Sequence, residues 1–167
     1  IVPVETASSK EEYAARTLRP KIARWLERFL QPVEIVPPAH PAPEMGLPSL
    51  DLGEPSHVLQ TLDIDRSVAP VPDVWGGYRW ARQRLRDFIA TQLDGYAEHH
   101  NDPNAEVVSR LSPYLHFGQI SPLEVALAVR KAGGPGAAAF LEELVVRREL
   151  SMNMAYYNPH YDAFLCL

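Results

Sequence analysis

From Trp75 onward, apolar residues recur at intervals of three and four. Leu85, Phe88, Ile89, Leu93 and Tyr96 fall on one side of a helix, and Phe140, Leu141, Leu144, Val145 and Leu150 on one side of another. Between them stand two Ser-Pro pairs, Ser112-Pro113 and Ser121-Pro122. Each sets a capping hydroxyl before a proline suited to the first helical position, and Glu124 completes a capping box with Ser121. Asn101-Asp102-Pro103-Asn104 ends the first helix as a turn. Ala132-Gly133-Gly134-Pro135-Gly136 breaks the helix that starts at Ser121. Residues 73–167 are therefore expected to be mainly α.

The beginning of the chain has a different pattern. Ile1-Val2-Pro3-Val4 is a short β-branched run that predicts a strand, and Ser9 with Glu12 predicts a capped helix running to about Leu30. A lone strand cannot bury itself, so its sheet is expected upstream of Ile1. Residues 31–65 then carry seven prolines, six acidic residues and no lysine or arginine, the composition of a linker.

That segment changes the meaning of the overall charge. The chain has 167 residues, about one domain's worth, with 46% apolar composition and a net charge of −5. An acidic chain discourages a nucleic-acid partner, but residues 31–65 account for −6, and the rest nets +1. No apolar run approaches the ~20 residues of a membrane span, and no leader pattern is present. One cysteine, Cys166, makes neither a disulfide framework nor a cysteine metal site, and the six histidines lack ligand spacing, so no metal is expected. A soluble protein of a reducing compartment, not secreted, is the expectation.

Three stretches could carry chemistry. Gly134-Pro135-Gly136-Ala137-Ala138-Ala139 matches a dinucleotide fingerprint in form, but a helix precedes it where the fingerprint needs a strand, so a helix–helix loop is the better account. In Ser109-Arg110-Leu111-Ser112, two hydroxyls and an arginine lead into a helix start, a suitable place for a phosphate; the plainer account is that Ser112 caps its own helix. From Glu142 to Glu149, acids and bases can pair along a solvated helix face. Alternatively, the arginines meet a bound anion while a carboxyl group meets a ligand.

Three motifs in one order decide between these accounts. They are Glu11-Glu12-Tyr13-Ala14-Ala15-Arg16-Thr17-Leu18-Arg19-Pro20-Lys21-Ile22, then Ser109-Arg110-Leu111-Ser112-Pro113-Tyr114-Leu115-His116-Phe117-Gly118-Gln119-Ile120-Ser121, and Phe140-Leu141-Glu142-Glu143-Leu144-Val145-Val146-Arg147-Arg148-Glu149-Leu150. With Tyr96-Ala97 and Asn101-Asp102-Pro103 between them, the chain resembles the class II cyclobutane pyrimidine dimer photolyases of the photolyase/cryptochrome family.

The resemblance implies a flavoenzyme that splits pyrimidine dimers in DNA using light and reduced FAD; a cryptochrome-like photoreceptor and an inactive helical fragment are the alternatives. Residues 1–30 correspond to the last strand and helix of an α/β antenna domain, whose missing part could hold an antenna chromophore. Residues 31–72 correspond to the linker, and 73–167 to the first half of a helical FAD-binding domain. Tyr96, Ser109, Arg110, Leu111, Ser112 and Asn153 are implied to bind FAD, with Arg147 or Arg148 toward the cofactor and Glu142 or Glu143 toward the damaged bases. The implied partner is UV-damaged DNA with its dimer flipped out of the stack, met by a basic face including Arg79–Arg86 and Arg147-Arg148. The protein is expected to be a monomer in the cytoplasm, or in the nucleus of a eukaryote. Further flavin contacts are expected downstream of Leu167, so the 167 residues alone are expected to be inactive and to retain FAD weakly. The chain departs from the family at Val108, where a hydroxyl residue is common, and at Met152 and Met154, which flank Asn153.

Overall fold

A computed structural model describes residues 1–39, 46, 48–49 and 51–164; His40 and Cys166 lie outside the described residues. The described residues form helices and no strand: α1 (Val4–Ala7), α2 (Ala15–Phe29), α3 (Pro55–Thr61), α4 (Tyr78–Thr91), α5 (Leu93–His99), α6 (Ser112–His116), α7 (Pro122–Ala132) and α8 (Gly134–Leu141) are followed by a π-helical turn (Glu142–Arg147) and α9 (Arg148–Tyr157). Among the described residues no helix is long and apolar enough to cross a membrane. The chain divides into two compact units, one of Ile1–Val33 with Trp75–Leu167 and one of Glu34–Val74.

The expected N-terminal strand is absent. Ile1-Val2-Pro3 leads directly into the single turn of α1, with Pro3 as its N-cap. A β-branched run needs a strand to pair with; here Val2 instead buries its side chain with Leu18, Ile22 and Val145. The expected cap also differs. Helix α2 begins at Ala15, and Glu12 bonds the Ser8 hydroxyl and the Lys21 ammonium rather than closing a box with Ser9. Burial of Glu12 beside a cation outweighs the local capping arrangement.

The apolar periodicity downstream is realised, with one break. Gln92 (φ −124°, ψ −27°) separates α4 from α5, so the face carrying Leu85, Phe88, Leu93 and Tyr96 belongs to two helices. Together with Leu111, Val125, Val129, Phe140 and Leu144 this face forms the larger core. Each such side chain, fully buried, contributes about 1.5–3 kcal/mol. Ser121 caps α7, its hydroxyl accepting from the Leu123 amide at 3.2 Å. Glu124 leaves the capping box for the Tyr78 hydroxyl (3.1 Å) and Arg82 (3.2 Å).

The Gly-Pro-Gly-Ala stretch is a packing device. Gly133 (φ +74°) and Gly134 (φ +84°) make the turn from α7 into α8. At Gly136 a Cβ would stand 1.7 Å from the Leu93 carbonyl oxygen. Only glycine lets α8 approach the backbone of α5 this closely.

In the second unit, α3 forms within the proline-rich segment because Pro55 occupies a first-turn position, where no amide donor is needed. None of its described residues is buried.

Candidate functional site

The helical run 134–157 carries half of the candidate residues, and its middle is a π turn. The Arg148 amide donates to the Glu143 carbonyl, five residues back. One residue is thereby added to the turn, and three consecutive apolar side chains are buried. Leu144 enters the larger core and Val145 the smaller one. Val146 lines a cleft of about 210 Å³ between α2 and this run, with Ile22, Leu26 and Leu141.

The π turn also separates the two candidate glutamates. Glu142 turns to α2, where the Arg19 guanidinium grips its carboxylate: Nη2 donates to Oε1 at 2.6 Å, and Nε lies 3.2 Å from Oε1 and 3.1 Å from Oε2. Those hydrogen bonds, opposed by partial burial, hold the Glu142 carboxyl below its ordinary range. Glu143 is exposed, lies 3.8 Å from Arg147, and acts electrostatically on Tyr96 of α5. Burial, and secondarily the Glu143 charge, push the Tyr96 phenol upward.

Tyr96 is held in an aromatic box. Its ring stacks on His100 at 4.9 Å and meets Phe88 and Phe140 edge-on at 5.8 and 5.3 Å. The His100 Nδ1 lies 2.8 Å from the Tyr96 carbonyl oxygen, which fixes the stacking partner.

In the run 109–112, Leu111 is buried in the same core as Tyr96 and anchors the segment. Arg110 beside it is exposed and takes φ +52°, a left-handed conformation uncommon for a side chain of this size. The Ser109 hydroxyl accepts from the Leu111 amide at 3.3 Å. Ser112, expected as a cap, is instead the first residue of α6 and makes no cap; Leu111 takes that position. Its hydroxyl is exposed, and Arg110 has no ion-pair partner among the described residues. Two hydroxyls and one guanidinium with free donors fit an anionic phosphate.

Tyr96 and Leu111 thus share the larger core, the Glu143 charge reaches Tyr96, and Arg147 pairs with Glu143. Glu142 and Asn153 are engaged by the N-terminal segment. Asn153 is fully buried; its Oδ1 accepts from the Glu12 amide at 2.7 Å and its Nδ2 donates to the Lys10 carbonyl at 3.1 Å. Arg148 Nη1 lies 3.3 Å from the buried Glu149 carboxylate. On α4, Arg82 is tied to Glu124, whereas Arg79 is exposed near the stacked pair Trp75 and Trp80, whose ring centroids are 6.1 Å apart. The sequence carried no signal for Arg19, because its partner lies 123 residues away.

No protein-family model matches the chain. Curated proteins do. Over the whole chain it is 43% identical to the deoxyribodipyrimidine photo-lyase of Methanothermobacter thermautotrophicus, and it covers 36% of that protein. It is 37% identical to the proteins of the same name from Arabidopsis thaliana and Potorous tridactylus, over 98% and 97% of the chain. This chain is a homologue of part of the photo-lyases. It spans about a third of the length of these photo-lyases, and the match to the first of them includes every candidate residue named above.

Proposed function

We propose that this chain belongs to a class II deoxyribodipyrimidine photo-lyase, a carbon–carbon lyase that repairs cyclobutane pyrimidine dimers in DNA with light and reduced FAD. The observation that carries the proposal is the 43% identity across the whole chain to a protein of that name. The donor set at residues 109–112, the Glu143–Arg147 pair and the reach of the Glu143 charge to Tyr96 support it.

In this reading the hydroxyls of Ser109 and Ser112 and the Arg110 guanidinium hold the flavin's phosphates. Tyr96, fixed by its aromatic box, walls the same site. Reduced FAD, when bound, supplies the electron that opens the cyclobutane ring. The protein orients the two reactants and excludes water. Glu143 hydrogen-bonds the dimer and stabilises the charge that develops on it, with Arg147 turned to the cofactor. Glu142, gripped by Arg19, is not free to meet the dimer and is not assigned this role. Asn153 and Arg148 support the site from behind.

The DNA partner meets exposed basic groups including Arg79, and the dimer leaves the stack, where the lesion's weakened stacking lowers the cost of flipping. Residues 1–30 are proposed as the end of an antenna domain and 31–72 as a linker, in a protein acting as a monomer. The test is repair of an oligonucleotide containing one thymine dimer by the full-length protein. Loss of the dimer in light and not in darkness is expected; flavin bound without light-dependent repair refutes the proposal.

A further inference from the structure

Surface ion pairs usually contribute little, because two mobile side chains must be ordered for a modest Coulomb gain. The Arg19–Glu142 pair differs in geometry and in location. Three short contacts lock one planar group onto another, the bidentate form in which arginine is most directional. It joins α2 to the first residue of the π turn, at the rim of the apolar cleft lined by Ile22, Leu26 and Val145.

A π turn holds one residue more than an α turn would, and such turns are rare because the α register is the favoured one. Returning this turn to the α register would rotate the residues on one side of it by about 100° relative to those on the other. Leu144 and Val145 are committed to two different cores and fix the middle of the turn. Glu142 precedes them, and its grip on α2 fixes where the extra residue begins. Glu143 and Arg147, at the second and last positions of the turn, are both exposed and have no comparable anchor.

We propose that Arg19 is a positioning residue: by gripping Glu142 it holds the π register of 142–147 and thereby sets the directions of Glu143 and Arg147. The functional half of this inference rests on the reading that Glu143 faces the dimer. Arg19 is exposed and fills no core, so its truncation leaves the fold intact.

The experiment uses the full-length protein with Arg19→Ala, Arg19→Lys and the exchanged pair Arg19→Glu with Glu142→Arg. Amide hydrogen exchange is followed at 142–148, with 122–132 as the internal reference. In Arg19→Ala, exchange at 142–148 rises about tenfold with the reference unchanged; Arg19→Lys, which keeps the charge and loses the fork, shows a smaller rise; and the exchanged pair restores protection. In dimer repair, Arg19→Ala lowers kcat about fivefold and leaves KM within about twofold.

Unchanged exchange at 142–148 overturns the proposal, as does an equal rise in both regions, which marks general destabilisation. A local rise with kcat unchanged overturns its functional half. A local rise in a protein that shows no light-dependent repair leaves the register device standing and refutes the photo-lyase reading instead.

Discussion

Asn153 has no exposed surface, and both ends of its amide are used by the backbone of the segment 10–12. Truncating it strands one buried donor and one part-buried acceptor, so Asn153→Ala is expected to lower stability by about 2 kcal/mol, read from the denaturant midpoint of the full chain. Glu12 lies in the same tie. The Lys21 ammonium first, then the hydroxyls of Thr17 and Ser8, lower its carboxyl from about 4.5 to about 2. A carboxyl depressed on folding stabilises the fold above its unfolded value, and that contribution fades as pH falls from about 4.5 toward 2. Glu12→Gln is therefore expected to be less stable at pH 7 and to lose less of its stability between pH 5 and 2 than the parent, measured by thermal unfolding across that range.

Helix α8 illustrates how one residue sets the distance between elements. Gly136→Ala would drive a methyl group into the Leu93 carbonyl and push α8 off α5, the helix that carries Tyr96. A loss of at least about 2 kcal/mol is expected, with weaker flavin retention in the full-length protein than in a surface control such as Ala90→Gly. At this scale the sequence was readable where the signal is local. Periodicity placed the apolar faces of α4 and α5, and the Ser-Pro pairs placed the starts of α6 and α7 within a residue; the single face expected from Phe140 to Leu150 is divided between two cores. The π turn was not readable. Leu144, Val145 and Val146 are all apolar, so an inserted residue leaves the hydrophobic pattern intact. Nor could the adjacent glutamates be told apart, because their difference is made by Arg19, distant in sequence. The strand expected at Ile1 failed for a related reason: four β-branched and proline residues define a preference, and the core beneath Val2 decided the outcome.

For the whole molecule, charge is a property of segments. The acidic stretch 31–65 hides a nearly neutral remainder that presents arginines such as Arg79, Arg110 and Arg147 to solvent. Residues 1–33 pack in one unit with the helices after Trp75, through Asn153, Arg19 and the Tyr157 hydroxyl, which donates to the Ser8 carbonyl at 2.7 Å. That long-range union had no sequence signature. The helical class and the resemblance to photolyases did, and homology over the whole chain accords with both. The most direct measurement is light-minus-dark repair of a dimer-containing oligonucleotide by the full-length protein beside its Glu143→Ala variant, both loaded with reduced flavin. Repair in light alone is expected, with a yield about tenfold lower in the variant, the worth of one hydrogen bond to a charged group. Equal yields in the two proteins, or no difference between light and darkness, would contradict this expectation.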